Sequence, residues 1–267
     1  MRILYVGDIM GSPGRKVVKA LLPELRQELH ADLVIAQGEN VSHGKSMSQS
    51  HMRELQQSGV DFFTGGNHTI KRADLHDMLA NPQQPVVAPA NLEGYPTEWG
   101  VKELESPKGK VLVFSLLGQT FPTSMAITNP LVALDRILAA HPLDGYAAII
   151  GNFHADFSSE KRVIGYYADG RVSAMVGDHW HVATADAMVL PKGTAHITDV
   201  GMCGTLHSSL GVELDMIVKR WRDEVTTPNH IALSPPYQFN AVLIETDEVT
   251  HLATSIVSIN KVIEKIS

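Results

Sequence analysis

The chain has 267 residues, of which 44% are hydrophobic and 19% are charged, and its formal net charge at pH 7 is -7. This composition indicates a globular protein with one hydrophobic core and excludes extensive disorder, so we expect residues 1–267 to form a single domain. An acidic chain offers no broad basic surface to the backbone of a long nucleic-acid duplex, which leaves small phosphorylated ligands as the open class of charged partner.

The cysteine content and the N-terminus bear on the compartment of the protein. Cys203 is the single cysteine and cannot close an intrachain disulfide, which is typical of a reducing compartment. We interpret it as a small buried hydrophobic residue. The apolar run at residues 3–6 is too short for a signal-peptide core, and no apolar stretch approaches the roughly 18 residues of a membrane span. We therefore expect a cytoplasmic protein without a membrane partner.

The first third of the chain alternates short β-type runs with helical patterns, which is typical of a layered α/β domain with a largely parallel sheet. The predicted strands occupy residues 3–6, 33–36 and 60–64. A glycine-containing segment follows each of them. The repeating unit is thus a strand, a polar loop and a helix.

Two helices are predicted between these strands. After the first strand, a Gly-rich loop leads to apolar residues at helical spacing from Val17 to Leu29, which predict a helix although Pro23 is unfavourable inside it. Ser48 is a candidate N-cap for a second helix, whose apolar positions include Met52 and Leu55.

The middle of the chain begins with a predicted hairpin, since Pro107-Lys108-Gly109 separates two extended segments, the second at residues 111–117. The elements predicted after it are a helix at residues 131–138, strands at residues 147–150 and 172–176, and an amphipathic helix at residues 214–221. No linker or internal repeat divides the sequence, in agreement with a single domain.

Side chains that can ligate metal ions follow five of the predicted strands, and glycine lies just before four of the five groups. The residues are Asp8, Glu39, Asn40, Asn67, His68, His154, His179 and His181. Ligands in α/β sheets bind outside the carboxyl ends of the strands, so these residues can converge if the strands are parallel neighbours. Nitrogen and oxygen donors without thiolates favour iron, manganese, zinc or a related divalent ion over calcium or a structural zinc site.

The residue types indicate individual roles in such a centre. Glu39 has two oxygens and can bridge two ions, and two ions about 3.5 to 4 Å apart can clamp the attacking and leaving oxygens of a phosphoryl transfer. Asn67 offers a neutral carbonyl oxygen. His68 would project differently, and an imidazole free of metal can protonate a leaving oxygen because its pKa lies near neutrality. Other histidines are interpreted as solvated or structural, including His30, His51, His76, His141, His230 and His251.

Longer strings around these residues carry a family resemblance. They are Val-Gly-Asp-Ile-Met-Gly-Ser-Pro-Gly at residues 6–14, Asn-Phe-His-Ala-Asp at residues 152–156 with Ser-Glu-Lys at residues 159–161, and Thr-Asp-Val-Gly-Met at residues 198–202. With the Gly-Glu-Asn, Gly-Asn-His and His-Trp-His motifs, they resemble the calcineurin-like metallophosphoesterase superfamily. The chain is most similar to its bacterial YmdB-like branch of 2′,3′-cyclic-nucleotide phosphodiesterases, over almost the whole length.

The resemblance implies a four-layer α/β/β/α sandwich of two mixed sheets flanked by helices. It also implies two metal ions, iron and/or manganese, and hydrolysis of small phosphodiesters such as 2′,3′-cyclic nucleotides. By matching positions, Asp8, Glu39, Asn40 and His181 would hold one ion, and Glu39, Asn67, His154 and His179 the other. A hydroxide that bridges the ions would attack phosphorus in line, and His68 would be the proton donor.

Some positions depart from the family pattern. Asn152 stands where Asp is expected, Asp156 where Glu is expected, and Trp180 where a small hydroxyl residue is usual. Met10 replaces a histidine of the wider superfamily, which suits the YmdB-like branch. No predicted ligand is lost, but the partners of ligating imidazoles tune their orientation and basicity, so we expect the departures to affect metal preference and rate.

Three other interpretations remain. Gly7, Gly11 and Gly14 lie between a strand and a helix as in a nucleotide-binding loop, although their spacing matches neither G-x-G-x-x-G nor a P-loop. A phosphoserine or phosphothreonine protein phosphatase could use the same metal centre, and a regulatory scaffold could keep the metals with weak catalysis. Since soluble proteins often form symmetric oligomers, we expect a homodimer or homotetramer.

Overall fold

The computed structural model of the chain describes residues 1–119 and 125–266. Its strands are β1 (Arg2–Val6), β2 (Asp8–Ile9), β3 (Leu33–Gln37), β4 (Phe62–Thr64), β5 (Val101–Ser106), β6 (Gly109–Leu117), β7 (Ala148–His154), β8 (Ala174–Asp178), β9 (Met188–Val189), β10 (Ala195–Ile197), β11 (Met202–Thr205), β12 (Tyr237–Thr246) and β13 (Ala253–Ile263). Its α-helices are α1 (Gly11–Glu28), α2 (Gln49–Gln57), α3 (Ala73–Ala80), α4 (Pro130–Ala140), α5 (Ser158–Tyr167) and α6 (Leu214–Asp223).

The strands form two mixed sheets. The first has the order β2-β11-β12-β1-β3-β4, with β13 paired to β12, and the second has the order β5-β6-β7-β8-β10-β9. In the first sheet β1, β3 and β4 run parallel, and in the second β6, β7 and β8 run parallel. The carboxyl ends of these strands can therefore carry a common site.

The two faces of each sheet bury different partners because side chains alternate along a strand. On β1, Ile3 and Tyr5 belong to the apolar cluster that contains Val113 of β6, so these faces lie between the sheets. Leu4 instead packs with Leu22 of α1 on the outer face. The outer face of the second sheet packs against α4 and α5. The order of layers is helix, sheet, sheet, helix, which confirms the predicted sandwich.

Helix α1 begins earlier than the sequence indicated, at Gly11 instead of after a Gly-rich loop. A Cβ added at Gly14 would lie 2.5 Å from the carbonyl oxygen of Cys203, so this glycine lets the helix approach β11 closely. The helix also continues through Pro23, because its apolar face is buried against the first sheet. Gly14 thus lies inside the helix and serves helix packing, which argues against a nucleotide-binding loop. Cys203 is buried, as predicted.

Several other predicted elements are confirmed with shifted ends. Strands β5 and β6 form the hairpin, with Ser106 opposite Gly109. Ser48 caps α2, since its side chain accepts a hydrogen bond from the backbone N–H of His51. The strand predicted at residues 147–150 extends through His154 as β7. This extension places one predicted site residue inside a strand.

The amphipathic helix predicted at residues 214–221 is α6, and it lies on the surface. None of its ten residues is buried, and Trp221 is 79% exposed. Among the helices of the described residues, none combines the length and the apolar character that crossing a membrane requires.

Candidate metal centre

All eight residues singled out in the sequence lie at the carboxyl ends of parallel strands or next to them. Asp8 follows β1, Glu39 and Asn40 follow β3, Asn67 and His68 follow β4, His154 ends β7, and His179 and His181 follow β8. Two of the eight differ from the expected loop positions, since Asp8 lies in β2 and His154 in β7, because strand pairing continues to these residues. Both sheets contribute, so the site lies where their strand ends meet.

Glu39 lies at the centre of the contacts and is only 2% exposed. Its Oε1 lies 3.2 Å from His154 Nε2 and 3.8 Å from His68 Nδ1. Its Oε2 accepts a hydrogen bond from the backbone N–H of His68 at 3.0 Å. Burial raises the pKa of Glu39. One carboxylate thus connects residues from both sheets.

Asp8, Asn40 and His181 form one side of the centre. Asp8 Oδ1 accepts a hydrogen bond from Asn40 Nδ2 at 3.0 Å and lies 3.7 Å from His181 Nε2. Nε2 of His181 also lies 3.1 Å from Asn40 Nδ2. On the other side of its ring, Nδ1 of His181 donates to the carbonyl oxygen of Leu210 at 3.0 Å. This hydrogen bond leaves Nε2 directed toward Asp8 and Asn40. Burial disfavours a charge on the ring, but attraction by Asp8 outweighs burial and raises the pKa of His181 to about 9, so a metal would compete with a proton at Nε2.

Asn67, His154 and His179 form the other side. Nε2 of the fully buried His154 lies 3.1 Å from Asn67 Oδ1, and the rings of His154 and His179 meet edge to face with centroids 4.6 Å apart. One ligand atom each from Glu39, His154 and His179 lies within 4.8 Å of the others. Two ligands of one ion can lie up to about 4.4 Å apart when each bond is about 2.2 Å long, so small shifts suffice for shared coordination.

Asp178 orients His154 from the side away from Glu39. Its Oδ1 accepts a hydrogen bond from His154 Nδ1 at 2.7 Å, and both side chains are fully buried. With its Nδ1 proton held there, His154 presents the lone pair of Nε2 to the centre, as histidine ligands of metals usually do. Asp178 directly precedes His179 in the sequence, but no sequence pattern indicated a role for it.

The departure at Asn152 has a structural explanation. Asn152 Nδ2 donates to Asp178 Oδ2 at 2.6 Å, and Asn152 Oδ1 accepts from Ser115 Oγ at 2.7 Å. A carboxylate at position 152 would instead meet Asp178 as a second negative charge in a buried site, which is costly. The amide therefore helps to hold the aspartate that orients His154.

The histidines at the centre differ in their preference for protons. Burial disfavours a charge on His154, but attraction by Glu39 and Asp178 outweighs burial and raises its pKa to about 9. Burial and the neighbouring His154 lower the pKa of His179 to about 2. The negative charges of Glu39 and Asp178 that favour a proton on His154 also favour a metal cation, which competes with the proton for the same lone pair. His179 is already in the neutral form that binds metals.

His68 lies beside the centre and is partly exposed. Its Nδ1 lies 2.9 Å from Asn40 Oδ1, and its side chain is 26% exposed. Burial, followed by the charges of Lys71 and His154, lowers the pKa of His68 to about 4. The ring is therefore held by Asn40 at one nitrogen and is neutral near pH 7.

The donor set fits divalent cations. Asp8 and Glu39 are buried carboxylates, and their ion-pair partners in the described part of the chain are histidines, not lysine or arginine. Buried charges are usually paired or coordinate a metal. The mixed oxygen and nitrogen donors suit divalent transition-metal ions.

A family model described as YmdB-like protein matches residues 4–259. The chain belongs to the YmdB-like family. It is 38% identical over 258 residues to the 2′,3′-cyclic-nucleotide 2′-phosphodiesterase of Bacillus subtilis (strain 168). These aligned residues cover 96% of this chain and 95% of that protein.

Two solved structures of similar size share the fold of this YmdB-like protein. A novel phosphatase from Mycoplasma pneumoniae superposes with a TM-score of 0.91 at 30% identity, over 99% of this chain and 94% of that one. A hypothetical protein from Thermus thermophilus superposes with a TM-score of 0.89 at 34% identity, over 99% of this chain and 100% of that one. The matches confirm the predicted family, the predicted fold and the prediction of a phosphodiesterase-type hydrolase.

Proposed function

We propose that this YmdB-like protein hydrolyses phosphodiesters with two divalent metal ions, and that its substrates are 2′,3′-cyclic nucleotides. The observation that carries the proposal is the convergence of eight side chains at the strand ends of two sheets, with the buried Glu39 at their centre. The substrate class is supported by the name of the Bacillus subtilis relative, a 2′,3′-cyclic-nucleotide 2′-phosphodiesterase.

The contacts around Glu39 support two ligand sets. In our proposal Asp8, Glu39, Asn40 and His181 hold one ion, and Glu39, Asn67, His154 and His179 hold the other. Each set is a group of neighbouring side chains on one side of Glu39. Asn40 would ligate through its Oδ1, although Nδ2 is the atom that faces Asp8 and His181. The mixed donors favour iron and/or manganese as the two ions.

When bound, the ions supply the Lewis acidity that activates water and offsets the charge developing on the phosphate. The chain itself contributes the position of the proton donor. Contact with Asn40 Oδ1 fixes the ring of His68 at Nδ1 and leaves Nε2 for the leaving oxygen. The low pKa of His68 would rise beside an anionic phosphodiester, because an opposite charge favours the protonated imidazole.

Metal analysis combined with assays on 2′,3′-cyclic AMP tests these roles in the purified wild type, His68→Ala and Glu39→Gln. We expect His68→Ala to retain its metal but to lose turnover by about 100-fold or more, as for loss of a general acid. Glu39→Gln should lose both metal and activity, because it removes a charge shared by the two ligand sets. His230→Ala, which alters an exposed histidine, is the matched control. Wild-type rates in both site variants would refute the assignment.

A protein phosphatase and a phosphodiesterase with the same metal centre would differ in the group that leaves the phosphorus atom. The metal centre alone suits either a phosphodiester or a phosphoserine peptide, so both are compared on the same preparation. Faster turnover of the peptide would favour the phosphatase, and metal content with negligible turnover of either would favour a regulatory scaffold. A cytoplasmic location, a homodimer or homotetramer and a single domain stay predictions from the sequence.

A further inference from the structure

The segment that carries His179 and His181 has an unfavourable backbone conformation. The φ angles are +106° at His179 and +62° at His181, a region that residues with a Cβ rarely adopt. Such conformations persist only where surrounding contacts determine them. The structure must therefore contain groups that hold this segment.

Contacts on both sides of His179 supply this constraint. Lys161, on α5, donates from Nζ to the carbonyl oxygen of Asp178 at 2.7 Å. The backbone N–H of Trp180 donates to Asp199 Oδ2 at 2.8 Å. The peptide group before His179 and the one after it are thus both held by side chains from other parts of the fold.

These two holding groups also bind each other. Lys161 Nζ lies 2.9 Å from Asp199 Oδ2, and both side chains are fully buried. The second oxygen of Asp199 accepts a hydrogen bond from the backbone N–H of Gly201 at 2.9 Å. A buried pair with its remaining sites satisfied has a defined geometry, whereas loss of one partner leaves an uncompensated charge.

Trp180 covers this pair. The ammonium group of Lys161 lies 4.0 Å from the centroid of the indole ring, within the range of a cation–π contact. The indole Nε1 donates to the carbonyl oxygen of Asp156 at 2.8 Å. The tryptophan that departs from the family pattern therefore closes the site of Lys161 and is fixed at its far end.

We propose that Lys161 is a positioning residue for the metal centre, which holds the segment from His179 to His181 in its metal-binding conformation. The proposal rests on the function proposed above, because it assumes that His179 and His181 are metal ligands. The hydrogen bonds of Lys161 go to the carbonyl oxygen of Asp178 and to Asp199. Lys161 acts through the Asp178 carbonyl, Asp199 and Trp180.

The test is the Mn²⁺ affinity of the folded protein, measured by competition with a metallochromic chelator. We expect Lys161→Met to bind Mn²⁺ 10- to 100-fold more weakly, the usual range when a group that orients metal ligands is lost. Circular dichroism establishes that the variant is folded. The control is Lys102→Met, which removes another buried lysine whose Nζ donates to the carbonyl oxygens of Met78, Asn81 and Gln84. A purely structural lysine should lower the melting temperature and leave Mn²⁺ affinity unchanged.

A double variant, Lys161→Met with Asp199→Asn, separates positioning from charge balance. It leaves neither charge buried alone, so it is expected to fold even where the single variant does not. Weak Mn²⁺ binding in the double variant supports positioning, and wild-type affinity in either folded variant would overturn it. If the wild type itself binds no Mn²⁺, Fe²⁺ or Zn²⁺, the proposed function fails. If the wild type binds metal and Lys161→Met binds it equally tightly, only the role of Lys161 fails.

Discussion

At the scale of single residues, the centre depends on a position without a side chain. A Cβ added at Gly66 would lie 2.4 Å from Glu39 Oε2 and 2.5 Å from the ring of His154. Real Cβ atoms are not found so close to other atoms, and both neighbours are buried and cannot move away freely. The glycine that precedes Asn67 therefore gives Glu39 and His154 the space to approach each other.

Gly66→Ala should disrupt the centre with little effect on the rest of the fold. We expect metal content to fall at least tenfold and phosphodiester turnover to fall with it, since a displaced ligand loses its coordination geometry. The control is Gly145→Ala, because a Cβ there would meet no atom within 4 Å. Both variants are measured by metal analysis and by turnover of 2′,3′-cyclic AMP. Full metal content in Gly66→Ala would show that Glu39 and His154 need not lie as close as described.

The eight candidate site residues could be proposed from the sequence because they follow recognisable apolar strands. The residues that support them could not. Asp178 binds the far side of His154, and Lys161, on a helix, binds the carbonyl oxygen of Asp178. Neither contact follows from sequence spacing, since both depend on how β7, β8 and α5 pack together.

At the scale of elements, the quality of prediction follows the hydrophobic pattern. Helix α2 was predicted from Ser48 and two apolar residues, and the structure buries both Met52 and Leu55. Helix α5 was not predicted, because its buried positions are Lys161, Ile164 and Gly165. A lysine and a glycine on the buried face conceal the periodicity that apolar residues would have shown.

The cap of α2 gives a prediction about stability alone. Ser48→Ala removes an acceptor for a backbone N–H at the helix start and should lower the free energy of unfolding by about 1 kcal/mol. For a chain of this size we expect the melting temperature to fall by about 2 to 4 °C. Turnover should be unchanged, because Ser48 does not contact the centre. The control is Gln56→Ala, at an exposed position inside the helix where alanine has the better helix propensity. Equal melting temperatures for the wild type and Ser48→Ala would show that the cap contributes nothing.

At the scale of the whole molecule, the centre depends on the assembly of both sheets. Glu39 follows a strand of the first sheet and His154 ends a strand of the second, and their side chains lie 3.2 Å apart. The first sheet in turn contains C-terminal strands, since β12 pairs with β1. Strand order of this kind is not a local property, so residue patterns alone did not reveal it. The family resemblance supplied the two sheets, and the structure supplies their order.

A centre between the two sheets should connect metal binding to global stability. Asp8, Glu39 and Asp178 are almost fully buried carboxylates, and a cation that binds only the folded state stabilises it by mass action. At a free metal concentration of about 1,000 times Kd, the gain is about 4 kcal/mol, which corresponds to roughly 10 °C in melting temperature for a chain of this size. Removal of metal by a chelator should therefore lower the melting temperature by that amount, measured by differential scanning calorimetry. Glu39→Gln should show a much smaller difference between the two conditions, because the two proposed ligand sets share that carboxylate. The same melting temperature for the wild type with and without chelator would mean that cations do not bridge the two sheets at this site.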